Sequence, residues 1–235
     1  MLAMYNDMIG IIGGMGSFAT AHFFYKLLEA FPGEKEWDRP RVVIDNNCIM
    51  PSRVRAILYG ENEVLLKDKL IASCCGLKNM AHDCDIYVVL ACNTSHYFLP
   101  YLREQLPDVK FVDIIELCCE SVVSCGCTNV VLLASEGTYK TKLYERYLLK
   151  HNISVTYPDD TSVVRSFIES VKQNDVSRDI VKKYIDMVNN CNSTSIILGC
   201  TELPIVHDKC IDGAIEKKIF DPLQCVTEWF KKNLK

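Results

Sequence analysis

Short apolar runs alternate with longer amphipathic stretches along this chain, and each pattern predicts a different kind of element. Runs such as residues 86–90 and 130–134 are rich in β-branched side chains and bounded by polar residues, which is typical of buried strands. Longer stretches such as residues 61–82 are typical of helices. Strands are predicted at residues 8–12, 41–44, 86–90, 108–113, 130–134, 153–156, 194–198 and 219–220. Because strands and helices alternate without a break, an α/β fold with parallel sheets is expected.

The same order of predicted elements occurs twice. In the first half, a strand leads into the glycine turn at residues 13–16 and a helix, and a later strand is followed by Cys92. In the second half, the strand at 130–134 leads into residues 135–138 and a helix, and a later strand is followed by Cys200. We therefore expect two related halves that face one another across a cleft.

Both cysteines lie where a strand ends and a helix is expected to begin. Polar residues follow at once, namely Asn93, Thr94 and Ser95 after Cys92, and Thr201 and Glu202 after Cys200. Two thiols across a cleft can remove a proton from one face of a carbon and return one to the other face. A helix N-terminus lowers a thiol pKa from near 8.5 by up to about one and a half units. The matched flanks favour this interpretation over a purely structural one, in which both cysteines are small hydrophobic residues.

Two further loops at strand ends are candidates for anion binding. The glycine turn exposes amide groups at a helix start, and Arg53 follows the second strand in a polar loop. Residues 14–19 also satisfy the loose dinucleotide fingerprint. However, Asp45 comes 29 residues after Gly16, farther than the acidic residue expected about 20 residues on. A nicotinamide cofactor is therefore disfavoured.

Composition narrows the classes of protein further. The net charge of −4 gives no electrostatic footprint for nucleic acid or an anionic membrane. No apolar run approaches the ~20 residues of a membrane span. The thirteen cysteines are odd in number, lie largely within predicted elements and lack the spacing of common zinc sites, so we expect free thiols and no metal. No charged leader precedes the first strand, and a cytoplasmic location is expected.

The motifs as a set resemble those of the aspartate/glutamate racemase family, and most closely those of its aspartate racemases. The resemblance rests on residues 11–16 with 19–20, Asn46-Asn47, Pro51-x-Arg53, residues 91–96, 132–138 and 199–202, and Asp221-Pro222. It implies two pseudo-symmetric flavodoxin-like domains with mostly parallel sheets and the active site between them. The domains are predicted at residues 1–113, joined by a C-terminal helix within 215–235, and at residues 114–214.

The resemblance also implies a cofactor-independent, two-base racemase of acidic amino acids, with Cys92 and Cys200 as the catalytic residues. Five polar residues match positions around the substrate's α-carboxylate and amino group, and two cations match positions near its carboxylates. The implied substrate-binding residues are Met15, Asn47, Arg53, Asn93, Thr94, Ser95, Lys172, Thr201 and Glu202. Because relatives form dimers, a homodimer is expected.

Departures from the family pattern bear on the substrate. Ser17, Cys48 and Ser52 stand where proline, proline and aspartate are expected. Glutamate racemases proper carry an Asp-Ser-Gly first loop and a Gly-Cys-Thr-His second motif, whereas this chain has Gly-Gly-Met-Gly and Gly-Cys-Thr-Glu. Aspartate is therefore the first expectation and glutamate the second. Two alternatives stay open: a racemase or isomerase of another small carboxylate, such as a hydantoin or a cis-dicarboxylate, and a catalytically silent protein that binds a small anion.

Overall fold

The computed structural model describes residues 5–82 and 84–234. Residues 1–4, 83 and 235, which the predicted domain ranges include, lie outside this part. No helix in the described ranges combines the length and the apolar character needed to cross a membrane. The elements are β1 (Met8–Gly13), α1 (Ser17–Ala30), β2 (Arg41–Asn46), α2 (Arg53–Tyr59), α3 (Glu63–Ala81), β3 (Ile86–Leu90), α4 (Leu99–Gln105), β4 (Lys110–Val112), α5 (Ile114–Ser124), β5 (Asn129–Ala134), α6 (Glu136–Thr141), α7 (Leu143–Leu148), β6 (Ser154–Thr156), α8 (Thr161–Lys172), α9 (Arg178–Asn189), β7 (Ser195–Gly199), α10 (Leu203–His207), β8 (Lys218–Phe220) and α11 (Pro222–Asn233).

The strands form two four-stranded sheets with the same internal order. One sheet has the order β2-β1-β3-β4 and the other β6-β5-β7-β8, and every pair of neighbours is parallel. This arrangement confirms the predicted α/β fold with two related halves. Because β1 pairs with β3 and β5 pairs with β7, the turns that follow these strands come together at the carboxyl ends of the sheets.

A shared apolar layer joins the halves. Alternate residues of β1 face opposite sides, so that Ile9 and Ile11 enter one core cluster while Met8 and Ile12 enter another. In β5, Val130 and Leu132 enter the same cluster as Ile9 and Ile11. Helix α11 adds Leu223, Val226 and Phe230 to this central cluster. The two halves thus share buried apolar surface, and the domain boundary between residues 113 and 114 stays a prediction.

The structure corrects several local predictions near the strand ends. The helix expected to begin after Cys92 starts instead as a 3-10 helix, Asn93–Phe98, and α4 starts only at Leu99, where Pro100 occupies its first turn. Arg53 is not in a loop but opens α2, whose first turn is capped by the Ser52 side chain accepting from Arg55 N. Both differences arise because short helical turns carry too few residues to show a clear periodicity.

Candidate active site

Glycines in the turn after β1 permit two close approaches of the chain. Gly14 has a φ of +75°, and a Cβ there would lie 2.4 Å from the carbonyl carbon of Asn47. A Cβ on Gly16 would lie 2.2 Å from Oε1 of Glu202. No side chain fits at either position without displacing its neighbour. The turn therefore brings the first half into direct contact with the carboxylate of Glu202 from the second half.

Cys92 lies two residues after the last residue of β3 and is 8% exposed. Two side chains of the 3-10 helix that follows Cys92 form hydrogen bonds close to it. Ser95 donates to Sδ of Met15 at 2.9 Å, and His96 Nδ1 lies 2.9 Å from the carbonyl oxygen of Cys92. Burial lowers the pKa of His96. Its neutral ring donates to Cys92 through Nδ1 and accepts from Ile114 N through Nε2 at 3.4 Å. His96 is part of the motif at residues 91–96, but the sequence alone does not predict its hydrogen bond to Cys92.

Cys200 follows β7 and interacts with a buried carboxylate. Its Sγ donates to Oε2 of Glu202 at 3.0 Å. Burial, which is the largest effect, and the Glu202 carboxylate raise the pKa of the Cys200 thiol well above its ordinary value, while Lys172 opposes the shift. The electrostatic effect of Cys92 adds to the rise. Cys200 therefore carries its proton in the ligand-free chain.

A cavity of about 470 Å³ lies between the glycine turn and the second cysteine motif. Arg53 lies beside it and donates through Nη2 to Met15 O at 2.7 Å and through Nη1 to Pro51 O at 3.1 Å. Its Nε is buried and has no hydrogen-bond partner within the part of the chain that the structure describes. Lys172 is the second cation, with its Nζ 3.9 Å from Oε1 of Glu202. The lining residues are Gly14, Met15, Gly16, Ser17, Phe18, Ala19, Cys48, Met50, Arg53, Lys172 and Glu202.

The predicted site residues fall into three sets with respect to this cavity. Four line it: Met15, Arg53, Lys172 and Glu202. Six belong to the two cysteine motifs, and three of these, Ser95, Cys200 and Thr201, lie within hydrogen-bond distance of a lining residue. The six are Cys92, Asn93, Thr94, Ser95, Cys200 and Thr201. Asn47 lines a different cavity, over β2 and α3, and its backbone lies against Gly14 of the glycine turn. Ten of the eleven predicted residues thus line this cavity or belong to the two cysteine motifs, and Asn47 lines a different cavity.

Several side chains around the motifs form contacts between the two halves. Thr94 Oγ1 lies 2.8 Å from Ser135 Oγ and 3.0 Å from Thr138 Oγ1. Thr201 Oγ1 donates to the carbonyl oxygen of Ala91 at 3.3 Å. Tyr144 donates to Oδ1 of Asn93. The sequence carried no signal for Tyr144, because one tyrosine in a helix is usually part of a core.

Comparison with known proteins identifies the family to which this chain belongs. The family model described as Asp/Glu/Hydantoin racemase matches residues 12–228. The chain belongs to the Asp/Glu/hydantoin racemase family. This membership supports an isomerase of the racemase class and confirms the family predicted from the motifs.

Relatives within this family include enzymes of different named specificity. A protein from Bacillus subtilis described as broad specificity amino-acid racemase RacX is 24% identical over 209 residues, which cover 86% of this chain and 88% of the relative. A glutamate racemase from Staphylococcus haemolyticus is 27% identical over 150 residues. That alignment covers 60% of this chain and 55% of the relative, so the chain matches about half the length of this glutamate racemase.

Solved structures share the fold over the whole chain. An aspartate racemase from Picrophilus torridus has a TM-score of 0.82 at 24% identity and covers 97% of this chain and 96% of its own. A glutamate racemase from Campylobacter jejuni has a TM-score of 0.66 at 18% identity and covers 97% of this chain and 87% of its own. At these identities the likeness establishes the two-sheet fold of the racemase family.

Proposed function

We propose that the protein interconverts L- and D-aspartate, and also accepts glutamate, without a cofactor. The observation that carries this proposal is the pair of cations, Arg53 and Lys172, on one cavity beside the Cys200–Glu202 contact. Family membership supplies the reaction class, and the cations supply the substrate class. The names of the Picrophilus and Staphylococcus proteins point to aspartate and glutamate respectively, and both are dicarboxylates.

The charges favour an acidic substrate. Within the described residues, Arg53 has no carboxylate partner and donates only to two backbone carbonyls. A half-buried guanidinium without a counter-ion is stabilised by an anion that enters the cavity, and charge-assisted hydrogen bonds to carboxylates are the strongest of their kind. Lys172 partly neutralises Glu202 and adds a second positive charge. A neutral amino acid offers one carboxylate to the two cations, whereas aspartate offers two, so aspartate is preferred.

The proposed chemistry transfers one proton in each step. The Cys92 thiolate removes the Cα proton from one face of the bound amino acid, and the electron pair is delocalised into the α-carboxylate. Cys200 donates its thiol proton to the opposite face of the same carbon. The enantiomer is then released with Cys92 as the thiol and Cys200 as the thiolate, and the reverse reaction exchanges the two roles. The raised pKa of Cys200 supports its assignment as the group that begins as the acid.

The decisive experiment follows the Cα proton of L-aspartate in D2O under reducing conditions, without pyridoxal phosphate, by NMR together with optical rotation. We expect the proton signal and the rotation to disappear together, and glutamate to react more slowly. Cys92→Ala and Cys200→Ala are expected to stop racemisation. Cys127→Ala, at a half-buried cysteine outside the site, is the matched control and is expected to retain full activity.

Other outcomes point to the alternatives. Turnover of a hydantoin or a cis-dicarboxylate without turnover of aspartate or glutamate would favour another isomerase of this family. Thermal stabilisation by aspartate with no Cα exchange would favour a silent anion-binding protein. Racemisation of many neutral amino acids, as the name of the Bacillus protein suggests for that relative, would show that the two cations do not set the substrate class.

The expectations on assembly and location remain proposals. We propose a homodimer, which light scattering of the purified protein would test at several concentrations. A cytoplasmic, reducing environment is proposed because all thirteen cysteines are free thiols.

A further inference from the structure

Tyr144 occupies an unusual position between the two halves. It belongs to α7 of the second half and is fully buried, with 0% of its surface exposed. Its hydroxyl donates to Oδ1 of Asn93 at 2.5 Å. Asn93 comes directly after Cys92 in the first half and is itself 2% exposed. A side chain of one half therefore contacts the residue next to a catalytic cysteine of the other.

This hydrogen bond fixes which way the Asn93 amide faces. Burial raises the pKa of Tyr144 well above its ordinary value, so the phenol keeps its proton and must donate it. Within the described residues, Asn93 Oδ1 is the only acceptor of that proton. A flipped amide would direct its own N–H toward the phenol and leave the phenol proton without an acceptor. The oxygen therefore faces Tyr144 and the nitrogen faces away.

The nitrogen of the same amide has no partner. Asn93 Nδ2 is buried and makes no hydrogen bond within residues 5–82 and 84–234. A buried donor without an acceptor is costly, and native structures rarely keep one without a reason. An NH2 group can only donate, so the group that completes this site must be an acceptor, such as a carboxylate oxygen.

We propose that Tyr144 is a positioning residue that acts through Asn93: it holds the amide so that Nδ2 meets a carboxylate oxygen of the substrate beside Cys92. The identity of this acceptor rests on the proposed function, whereas the control of the amide by Tyr144 does not. Tyr144 itself touches no substrate, because its hydroxyl is occupied by Asn93 and its ring is buried in the central core. The halves are thereby coupled at the catalytic centre by a hydrogen bond as well as by apolar packing.

The chain offers a matched control for this hydroxyl. Tyr184 is also fully buried in the second half, but its hydroxyl has no hydrogen-bond partner among the described residues. Its ring packs against Phe167 and His207, in a core cluster separate from that of Tyr144. Tyr144→Phe and Tyr184→Phe each remove one buried oxygen atom at constant shape. Only the first removes the contact to Asn93.

A readout that does not depend on activity is the side-chain amide of Asn93 in protein labelled with 15N-asparagine, assigned by its disappearance in Asn93→Asp. In the ligand-free protein, we expect Tyr144→Phe to shift this signal and to accelerate its hydrogen exchange about tenfold or more. Tyr184→Phe is expected to leave the signal unchanged. An Asn93 amide signal that is the same in Tyr144→Phe as in the parent would overturn the proposal.

Kinetics test the consequence for the reaction. With L-aspartate as the substrate, we expect Tyr144→Phe to lower kcat/KM roughly tenfold, mainly through KM, while Tyr184→Phe stays within about twofold of the parent. In an Asn93→Ala background, Tyr144→Phe is expected to have no further effect on kcat/KM, because its route of action is gone. Equal additional loss in that background would refute the positioning role. Absence of any turnover in the parent would refute the proposed function alone, since the amide signal would still report on Tyr144.

Discussion

The two halves of the protein share a fold but surround their cysteines differently. Each half places a cysteine at the carboxyl end of a central strand, Cys92 after β3 and Cys200 after β7. The glycine turn after β1 lines the cavity, whereas the equivalent turn after β5 is filled by the hydroxyl contacts of Ser135 and Thr138 with Thr94. One turn is therefore open to a ligand, and its equivalent is closed against the other half.

The polar groups around the two thiols also differ. Cys200 donates to the carboxylate of Glu202, and burial together with this carboxylate raises the pKa of the Cys200 thiol. Cys92 has no such carboxylate in its motif, and its carbonyl is held by the neutral ring of His96. A symmetric scaffold thus keeps the thiols geometrically equivalent, while a few side chains make them chemically distinct. Two-base racemisation needs this distinction, because one thiol must begin as a base and the other as an acid.

The largest effect is expected when either Cys92 or Cys200 is removed. Loss of either Cys92 or Cys200 removes one of two proton-transfer groups, and such groups contribute typically 10²–10⁴-fold. We expect Cys200→Ala to retain exchange of the Cα proton of the enantiomer that faces Cys92, but to lose inversion. The measurement is deuterium incorporation into each pure enantiomer, scored separately from rotation. Equal exchange of both enantiomers in this variant would contradict the assignment of one thiol to each face.

The next largest effect concerns the cations of the open turn. Arg53→Ala is expected to raise KM for aspartate roughly tenfold to a hundredfold, because a charge-assisted pair with a carboxylate is lost. The measurement is steady-state kinetics with aspartate. The control is Arg55→Ala in the same helix, whose guanidinium pairs with Glu61 on the surface at 2.6 Å. That exposed pair is expected to contribute little, and kinetic constants close to the parent's are expected. Equal effects of the two variants would contradict a role of Arg53 in binding.

The sequence was sufficient to predict the strands and both cysteine motifs because these features are local. A β-branched apolar run followed by Cys-Asn-Thr or Cys-Thr-Glu is visible without knowledge of any contact. The repeated order of elements also predicted the two halves. The family resemblance then located Arg53 and Lys172, which periodicity alone would leave as solvated surface residues.

The remaining features depend on how the halves pack together. The contact of Glu202 with Gly16, the hydroxyl cluster of Thr94 and the bond from Tyr144 to Asn93 all join residues far apart in the chain. No local pattern encodes such pairs. Asn47 lines a cavity other than the one beside Arg53, and its role in substrate binding stays a prediction.

A smaller effect is expected at the contact of the open turn with the second half. In Gly16→Ala the new methyl group would lie 2.2 Å from Oε1 of Glu202 and would displace this carboxylate. Misplacement of groups near the reacting carbon lowers rates, and we expect kcat/KM to fall about tenfold. Gly76→Ala in α3, where nothing lies within 4 Å, is the control. It is expected to keep full activity and to raise stability by about 0.5–1 kcal/mol in urea unfolding.

The pH profile tests the distinction between the thiols. Glu202→Gln removes the carboxylate that helps to raise the pKa of Cys200, so this pKa is expected to fall. Because Cys200 must hold a proton to act as the acid, the alkaline limb of kcat/KM in the corresponding direction is expected to move to lower pH. The opposite reaction direction starts from the Cys200 thiolate. The acidic limb of kcat/KM in that direction is also expected to move to lower pH. A profile identical to the parent's would contradict the Cys200–Glu202 coupling.

The smallest effect concerns the free energy of unfolding and two carboxylates, Asp221 and Asp208. Burial, partly offset by the hydrogen bond from Leu223 N, raises the pKa of Asp221 from 3.8 to about 6. The fold therefore disfavours the charged form of Asp221. The stability that the protonated carboxyl contributes is fully present below about pH 4 and is lost as the pH rises through 6. Asp221→Asn keeps the acceptor that caps α11 and removes the charge. We expect it to be more stable than the parent by roughly 1–2 kcal/mol at pH 8, and equal to it below pH 4.

Asp208 provides the contrast, because hydrogen bonds stabilise its charged form. Hydrogen bonds from His22, and then from Lys26, lower the pKa of Asp208 from 3.8 to about 2. Its contribution to stability is present above about pH 4 and is lost as the pH falls toward 2. Asp208→Asn is therefore expected to be less stable than the parent at neutral pH, and to approach it in acid. Urea unfolding of both variants between pH 3 and 8 would measure these opposite slopes. Parallel pH profiles for the two variants would show that the surroundings of the two carboxylates do not differ as their hydrogen bonds indicate.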